Sequence, residues 1–143
     1  MRKVVVALDG SDHSKYALQA ALKLFDTDSM HIHLLTVCEP IHVNEVLFKD
    51  TLTDMRQLEE EHMAANRKIV ETAATELKGA GISHDTHVEI GQPAQTIVGF
   101  SKKYHCEMIV MGTRGLGAIQ SIALGSVANK VVHLAGIAVL LAK

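Results

Sequence analysis

The sequence predicts a single α/β domain, a three-layer sandwich in which helices cover both faces of a five-stranded parallel sheet. Strand-like apolar runs alternate with helix-like segments along all 143 residues, and no linker or internal repeat interrupts them. Hydrophobic residues make up 48% of the chain but aromatic residues only 3%, so aliphatic side chains must fill the core, as in parallel sheets packed between helices. Right-handed crossovers place such helices on both faces of the sheet.

The first strand and helix are predicted from a change of hydrophobic period. Lys3–Leu8 is a β-branched run without a polar break after its lysine, which is typical of a strand buried on both faces. Asp9–Ser11 supplies turn residues, and Ser14 is predicted to cap the helix that follows, whose apolar residues recur at helical spacing. After a polar turn, His31–Val37 is the predicted second strand.

A long amphipathic helix and an edge strand are predicted in the middle of the chain. An irregular stretch runs from Pro40 to about Thr53, and the helix then spans roughly Asp54 to Lys78, with an apolar stripe on one side and charges mostly on the other. Asp85–Ile90 alternates between polar and apolar residues, so we expect a half-exposed strand at one edge of the sheet.

The last third of the chain adds two strands, two helices and a glycine-rich loop. The third helix is predicted to begin at Pro93, and Met108–Met111 is the fourth strand. Gly112–Leu124 forms the loop, Ser126–Leu134 the fourth helix and Ile137–Ala142 the fifth strand. The ligand crevice of such a sheet lies at the carboxyl ends of its strands, where we expect the first turn, the end of the second strand and the glycine loop to converge.

Composition disfavours several classes of function. Sixteen acidic against 14 basic residues leave a net charge of -2, so nucleic acid is not an expected partner. The longest apolar runs are far too short to span a membrane, and with no export signal visible and only Cys38 and Cys106, we expect a reduced, cytoplasmic protein. His31 and His33 share one face of a strand, but the nine histidines show no CxxC or HExxH spacing, so no metal site is predicted.

The glycine loop carries the most informative pattern. Gly112, Gly115 and Gly125 allow close approach of the backbone, and Ser126 stands where a helix begins. The N–H groups of Gly125, Ser126 and Val127 are therefore expected to be free to bind an anion. Two other phosphate motifs fail here, because GxxxxGK[ST] lacks its lysine and hydroxyl residue and GxGxxG lacks its third glycine.

The chain resembles the universal stress protein family, in particular its ATP-binding subgroup. That family has a glycine, two residues, a glycine, nine residues, and a glycine followed by Ser or Thr, and Gly112, Gly115, Gly125 and Ser126 match every element. The segments VVVALDGSDHS and LLTVCEP resemble the family's first strand with its turn and its second strand end. The resemblance extends from about Arg2 to Lys143, which is one domain covering residues 1–143.

The resemblance implies a sheet of strand order 3-2-1-4-5 and a site for ATP, with ADP or AMP as alternatives and Mg²⁺ held through the phosphates. By motif match, Asp9 contacts the ribose or adenosine end, the Val37 backbone contacts the adenine edge, and Gly112 lies near the ribose. Arg114 either lies over the phosphates or stays in solvent. The residues implied for the phosphates are Gly115, Gly125, Ser126 and Val127.

Three functions remain open at this point. The first is a binding module in which the ATP-bound state signals to a protein partner in a stress response. The second is an enzyme, such as a slow ATPase or an autokinase, although no general base or catalytic lysine adjoins the loop and no catalytic residue is predicted. The third is an ATP-independent scaffold, which the intact glycine motif disfavours. The resemblance also implies a homodimer through the last strand, an open apolar edge.

Overall fold

The computed structural model describes residues 1–41, 52–117 and 123–143, which form one five-stranded sheet with four α-helices. The strands are Arg2–Ala7 (β1), Met30–Cys38 (β2), His84–Ile90 (β3), Met108–Gly112 (β4) and Ala138–Ala142 (β5). The helices are Asp12–Leu24 (α1), Leu52–Gly79 (α2), Pro93–Lys103 (α3) and Ser126–Leu134 (α4), with a short 3-10 turn at Thr27–Ser29.

All neighbouring strands pair in parallel, in the order β3-β2-β1-β4-β5. The predicted fold class, strand order and edge position of β3 are therefore confirmed. The helices that cover the sheet lie two to a face, so the three-layer prediction is also confirmed. Among the described residues, no helix combines the length and the apolar character that a membrane crossing needs.

The two halves of the core follow from the alternation of β1. Val4 and Val6 point to the face covered by α1 and α2, while Val5 and Ala7 point to the face covered by α3 and α4. All four are buried, which explains why β1 lacks a polar face. In α2 the residue Val70 is buried on the face that α1 and α2 cover, although the predicted apolar stripe contained its neighbour Ile69 and not Val70 itself.

The start of α1 differs from the prediction. The N-cap is Ser11, not Ser14: the Ser11 hydroxyl oxygen accepts a hydrogen bond from the Ser14 N–H at 3.2 Å. Asp9 accepts from the Ser11 N–H at 2.9 Å, which tightens the turn and lets the helix begin at Asp12. Ser14 is instead buried within the first turn of the helix.

Two predicted segments fall partly outside the described residues. The irregular stretch after Pro40 includes positions 42–51, and the glycine loop includes positions 118–122. The other predicted boundaries agree with the structure to within two residues, and α4 agrees at both ends. The half-exposed character of β3 is also confirmed, although Ile90, expected on the apolar face, is 62% exposed at the strand end.

Candidate functional site

A crevice of about 650 Å³ lies at the carboxyl ends of β1, β2 and β4. Its volume is typical of a small-molecule site, and its position is the one expected for an open parallel sheet. The predicted convergence of the three segments is confirmed, because all eight predicted site residues line this cavity. They are Asp9, Val37, Gly112, Arg114, Gly115, Gly125, Ser126 and Val127.

Asp9 joins the turn after β1 to the glycine loop. One carboxylate oxygen accepts the hydrogen bond from the Ser11 N–H, and the other accepts from the Leu116 N–H at 3.1 Å. A Cβ atom on Gly115 would lie 2.4 Å from that second oxygen, which is closer than non-bonded atoms can approach. Gly115 is therefore required for the contact with Asp9, whatever ligand the loop holds.

Gly112 meets a different constraint. It is the last residue of β4 and is buried, and a Cβ atom there would lie 2.7 Å from the backbone carbonyl carbon of His13. The glycine thus allows the first turn of α1 to pack against the end of β4. This packing is sufficient to require glycine at position 112, although the residue also lines the crevice.

The N-terminus of α4 opens into the crevice with no side-chain cap. Its N-cap is Gly125, and no described side chain accepts a hydrogen bond from the first turn as a cap. The first N–H groups of an α-helix have no partner within the helix, and they carry the positive end of its dipole. One part of the sequence prediction is wrong here: the Gly125 N–H is not free, because it donates to the Thr113 carbonyl at 2.7 Å. Ser126 and Val127 remain as the first helical residues.

The end of β2 extends beyond its neighbour β1. The last register pair is Ala7 with Leu35, and the Leu8 N–H donates to the Leu35 carbonyl at 2.8 Å. Alternate residues of a strand direct their backbone groups to opposite neighbours, so Val37 directs its N–H and C=O to the same side as Leu35. These two groups therefore lie past the end of β1, at the crevice that Val37 lines.

A sequence model of the universal stress protein family matches residues 1–143. The chain belongs to this family. A universal stress protein of Thermus aquaticus is 33% identical over 144 residues, which cover 99% of this chain and 98% of the relative.

Two solved structures of universal stress proteins contain a nucleotide. One, in complex with cAMP, is 25% identical and has a TM-score of 0.71. The match covers 99% of this chain and 97% of the chain in that structure. The other is a universal stress protein family protein of Arabidopsis thaliana with AMP bound. It is 20% identical and has a TM-score of 0.72, and the match covers 100% of this chain and 92% of the chain in that structure. This second similarity is one of fold.

The crevice of this universal stress protein also contains residues that the sequence patterns did not indicate. Thr36 is buried and donates to the side-chain oxygen of Asn66 at 3.0 Å, and the Asn66 amide donates to the His62 carbonyl at 2.8 Å. This chain of hydrogen bonds fixes α2 against the end of β2. Asparagine is a poor residue for a helix interior, so Asn66 itself was the available sequence signal.

Proposed function

We propose that this universal stress protein binds an adenine nucleotide, with ATP as the physiological ligand and ADP or AMP as alternatives. In this proposal the bound state regulates a protein partner in a stress response. One observation carries the proposal: the uncapped N-terminus of α4 and the backbone edge of Val37 face the same crevice. The relatives solved with cAMP and with AMP support an adenine nucleotide.

The phosphate end of the proposed site is the first turn of α4. The N–H groups of Ser126 and Val127 are suited to phosphate oxygens, because the helix dipole adds to their hydrogen bonds. Arg114 lines the same crevice and is half-buried, which allows it to neutralise part of the phosphate charge. Mg²⁺ would be held mainly through the phosphates, since hard cations of this kind need few protein ligands there.

The base end of the proposed site is the edge of β2. Val37 offers one N–H donor and one C=O acceptor side by side, which complements the N1 acceptor and N6 donor of adenine. Guanine presents the reverse pattern, with a donor at N1 and an acceptor at O6, so it would face like groups. Asp9 and Gly112 line the crevice at the end of the sheet and are proposed to lie at the ribose.

Binding without rapid turnover is the reaction class that the geometry favours. A general base must lie within hydrogen-bond reach of the attacking water. The N–H groups of Ser11 and Leu116 hold the Asp9 carboxylate between the first turn and the glycine loop, and Asp9 is proposed to lie at the ribose rather than beside the terminal phosphate. The alternative is a slow ATPase or autokinase, and multiple turnovers per minute that depend on Asp9 would establish it.

Nucleotide-free protein tests the proposal in a thermal-shift series with ATP, ADP, AMP, cAMP and GTP. A ligand present at 100 times its dissociation constant stabilises the folded state by about 2.7 kcal/mol, which is a readily measured shift in melting temperature. We expect adenine nucleotides to raise the melting temperature and GTP to have little effect. The proposal fails if no adenine nucleotide raises it, or if GTP and ATP raise it equally.

A further inference from the structure

A second group of polar side chains, three histidines and one aspartate, lies on β2 and β3 away from the crevice. The two strands pair with His33 beside Asp85, so these side chains point to the same face of the sheet. His31 precedes His33 by two residues and His87 follows Asp85 by two, which places both on that face as well. Three imidazoles and one carboxylate therefore share the surface that α3 covers.

The distances within this group resemble those of a metal-ligand set. The His31 Nε2 atom lies 3.0 Å from the Asp85 Oδ2 atom, and the His33 Nδ1 atom lies 3.8 Å from the same oxygen. Ligand atoms from these three residues all lie within 4.8 Å of one another. Tetrahedral zinc with bonds of about 2.0–2.1 Å has ligand–ligand edges of roughly 3.3 Å. The Nε2 atom of His87 lies 3.3 Å from the His33 Nδ1 atom, beside the three.

Neighbouring groups orient these rings. The His31 Nδ1 atom lies 2.7 Å from the Ser83 hydroxyl oxygen, which is the kind of second hydrogen bond that fixes the tautomer of a metal-binding histidine. The rings of Phe100 and Tyr104 pack against both His33 and His87, with centroid distances between 4.7 and 5.7 Å.

His33 is not an ordinary core histidine. Its side chain is 4% exposed, and its Nε2 atom has no hydrogen-bond partner among the described residues, whereas buried polar atoms normally have one. The Nδ1 atom is the one that faces Asp85 and His87, and a metal ion there would replace its long 3.3 Å contact with the His87 Nε2 atom by a stronger bond.

We propose that His31, His33 and Asp85 bind a zinc ion, with His87 or a water molecule in the fourth position. Imidazole nitrogens and a carboxylate oxygen are ligands that Zn²⁺ accepts, and three protein ligands with an open position form a common zinc arrangement. Asp85 is 57% exposed, which gives the ion a path from solvent. The histidine spacing in the sequence predicted no metal site, because the ligand set forms only when β2 and β3 pair.

This zinc site is separate from the crevice. His31 and His33 lie in the first half of β2, whereas the crevice lies at its carboxyl end and is lined by β2 from Leu35 onward. A bound ion would join the edge strand β3 to β2 through Asp85. Lys3 is the register neighbour of His31 on β1, and its positive charge sets a limit on the affinity.

Isothermal titration of the metal-free full chain with Zn²⁺ tests the proposal. We expect one tight site, and Co²⁺ in its place should give the visible absorption of a tetrahedral complex. His31→Gln and Asp85→Asn remove a half-buried and an exposed ligand without opening the core, and each should weaken zinc at least tenfold. His133→Gln is the matched control, because His133 is an exposed histidine on α4 and should leave the affinity unchanged.

Two outcomes would overturn the zinc site: no stoichiometric binding to the unmodified chain, or equal affinity in all three variants. The second outcome would assign the heat of binding to scattered surface histidines among the nine in the chain. Neither outcome bears on the nucleotide proposal, because the titration is carried out without nucleotide.

Discussion

At the scale of single residues, the motif glycines serve the fold before they serve a ligand. Gly115 leaves room for a carboxylate oxygen of Asp9, and Gly112 leaves room for the backbone of His13. The glycine spacing identified the loop correctly, but it did not predict the close contacts with Asp9 and His13 that require glycine at these two positions. Asp9 and Leu116 are 107 residues apart, so their contact depends on the assembled sheet.

Gly115→Ala should show how far the glycine contributes to nucleotide affinity and how far it contributes to the stability of the fold. The new methyl group would displace the Asp9 carboxylate and break its bond to Leu116, so we expect the protein to fold, to lose about 1–3 kcal/mol and to bind nucleotide at least tenfold more weakly. Chemical denaturation and ligand titration measure the two effects.

Gly99→Ala is the control for that variant, because Gly99 lies within α3 with open space around it. It should be neutral or up to about 1 kcal/mol stabilising, since alanine is the better helix former. Gly112→Ala should cost more stability than Gly115→Ala, because its methyl group would meet backbone atoms rather than a side chain. The reverse order would contradict this account of the loop.

Burial also controls the reactivity of the two cysteines. Cys38 and Cys106 are both buried and free. Burial raises the pKa of Cys106 to about 11, so at pH 8 only about one molecule in a thousand carries the reactive thiolate. We expect iodoacetamide to label Cys106 far more slowly in the native protein than in the denatured chain, as measured by mass spectrometry. Equal rates would show that the thiol is accessible.

At the scale of elements, hydrophobic period predicted nearly every strand and helix. The β-branched run of β1 and the alternation of β3 indicated a central and an edge strand, and the sheet has both. Period did not predict the start of α1, which depends on how Asp9 and Ser11 bond to the turn. It also could not predict the histidine site, because that site depends on the register of β2 with β3.

The N-terminus of α4 gives the sharpest variant for phosphate binding. Ser126→Pro removes one N–H group, and proline is well tolerated at the first helical position, after an extended residue such as Gly125. Loss of a hydrogen bond to a charged phosphate should weaken ATP by tenfold or more, with the melting temperature of the free protein little changed. Calorimetric titration measures the affinity.

Ser126→Ala is the matched control for Ser126→Pro, because it keeps the N–H group and removes only the hydroxyl. We expect it to retain most of the affinity. If the alanine variant loses as much as the proline variant, the hydroxyl group rather than the helix N-terminus holds the phosphate.

At the scale of the whole molecule, the open edge of the sheet predicts assembly. In the described part of the chain β5 pairs with β4 on one side only, and its residues are mostly apolar and half-buried. Such an edge favours pairing with a second copy. We expect sedimentation at micromolar concentration to give twice the chain mass, and a melting temperature that rises with protein concentration. A monomer at that concentration would contradict the proposed homodimer.

The whole molecule also keeps its two proposed sites apart, with the crevice at the carboxyl ends of the strands and the histidine group in the first half of β2 and β3. The most direct test of the central claim, that the crevice binds an adenine nucleotide, is an NMR titration of isotopically labelled protein with ATP. We expect saturable shifts that are largest at the amides of Val37, Ser126 and Val127. Absence of shifts at saturating ATP, or shifts confined to residues outside the crevice, would contradict it.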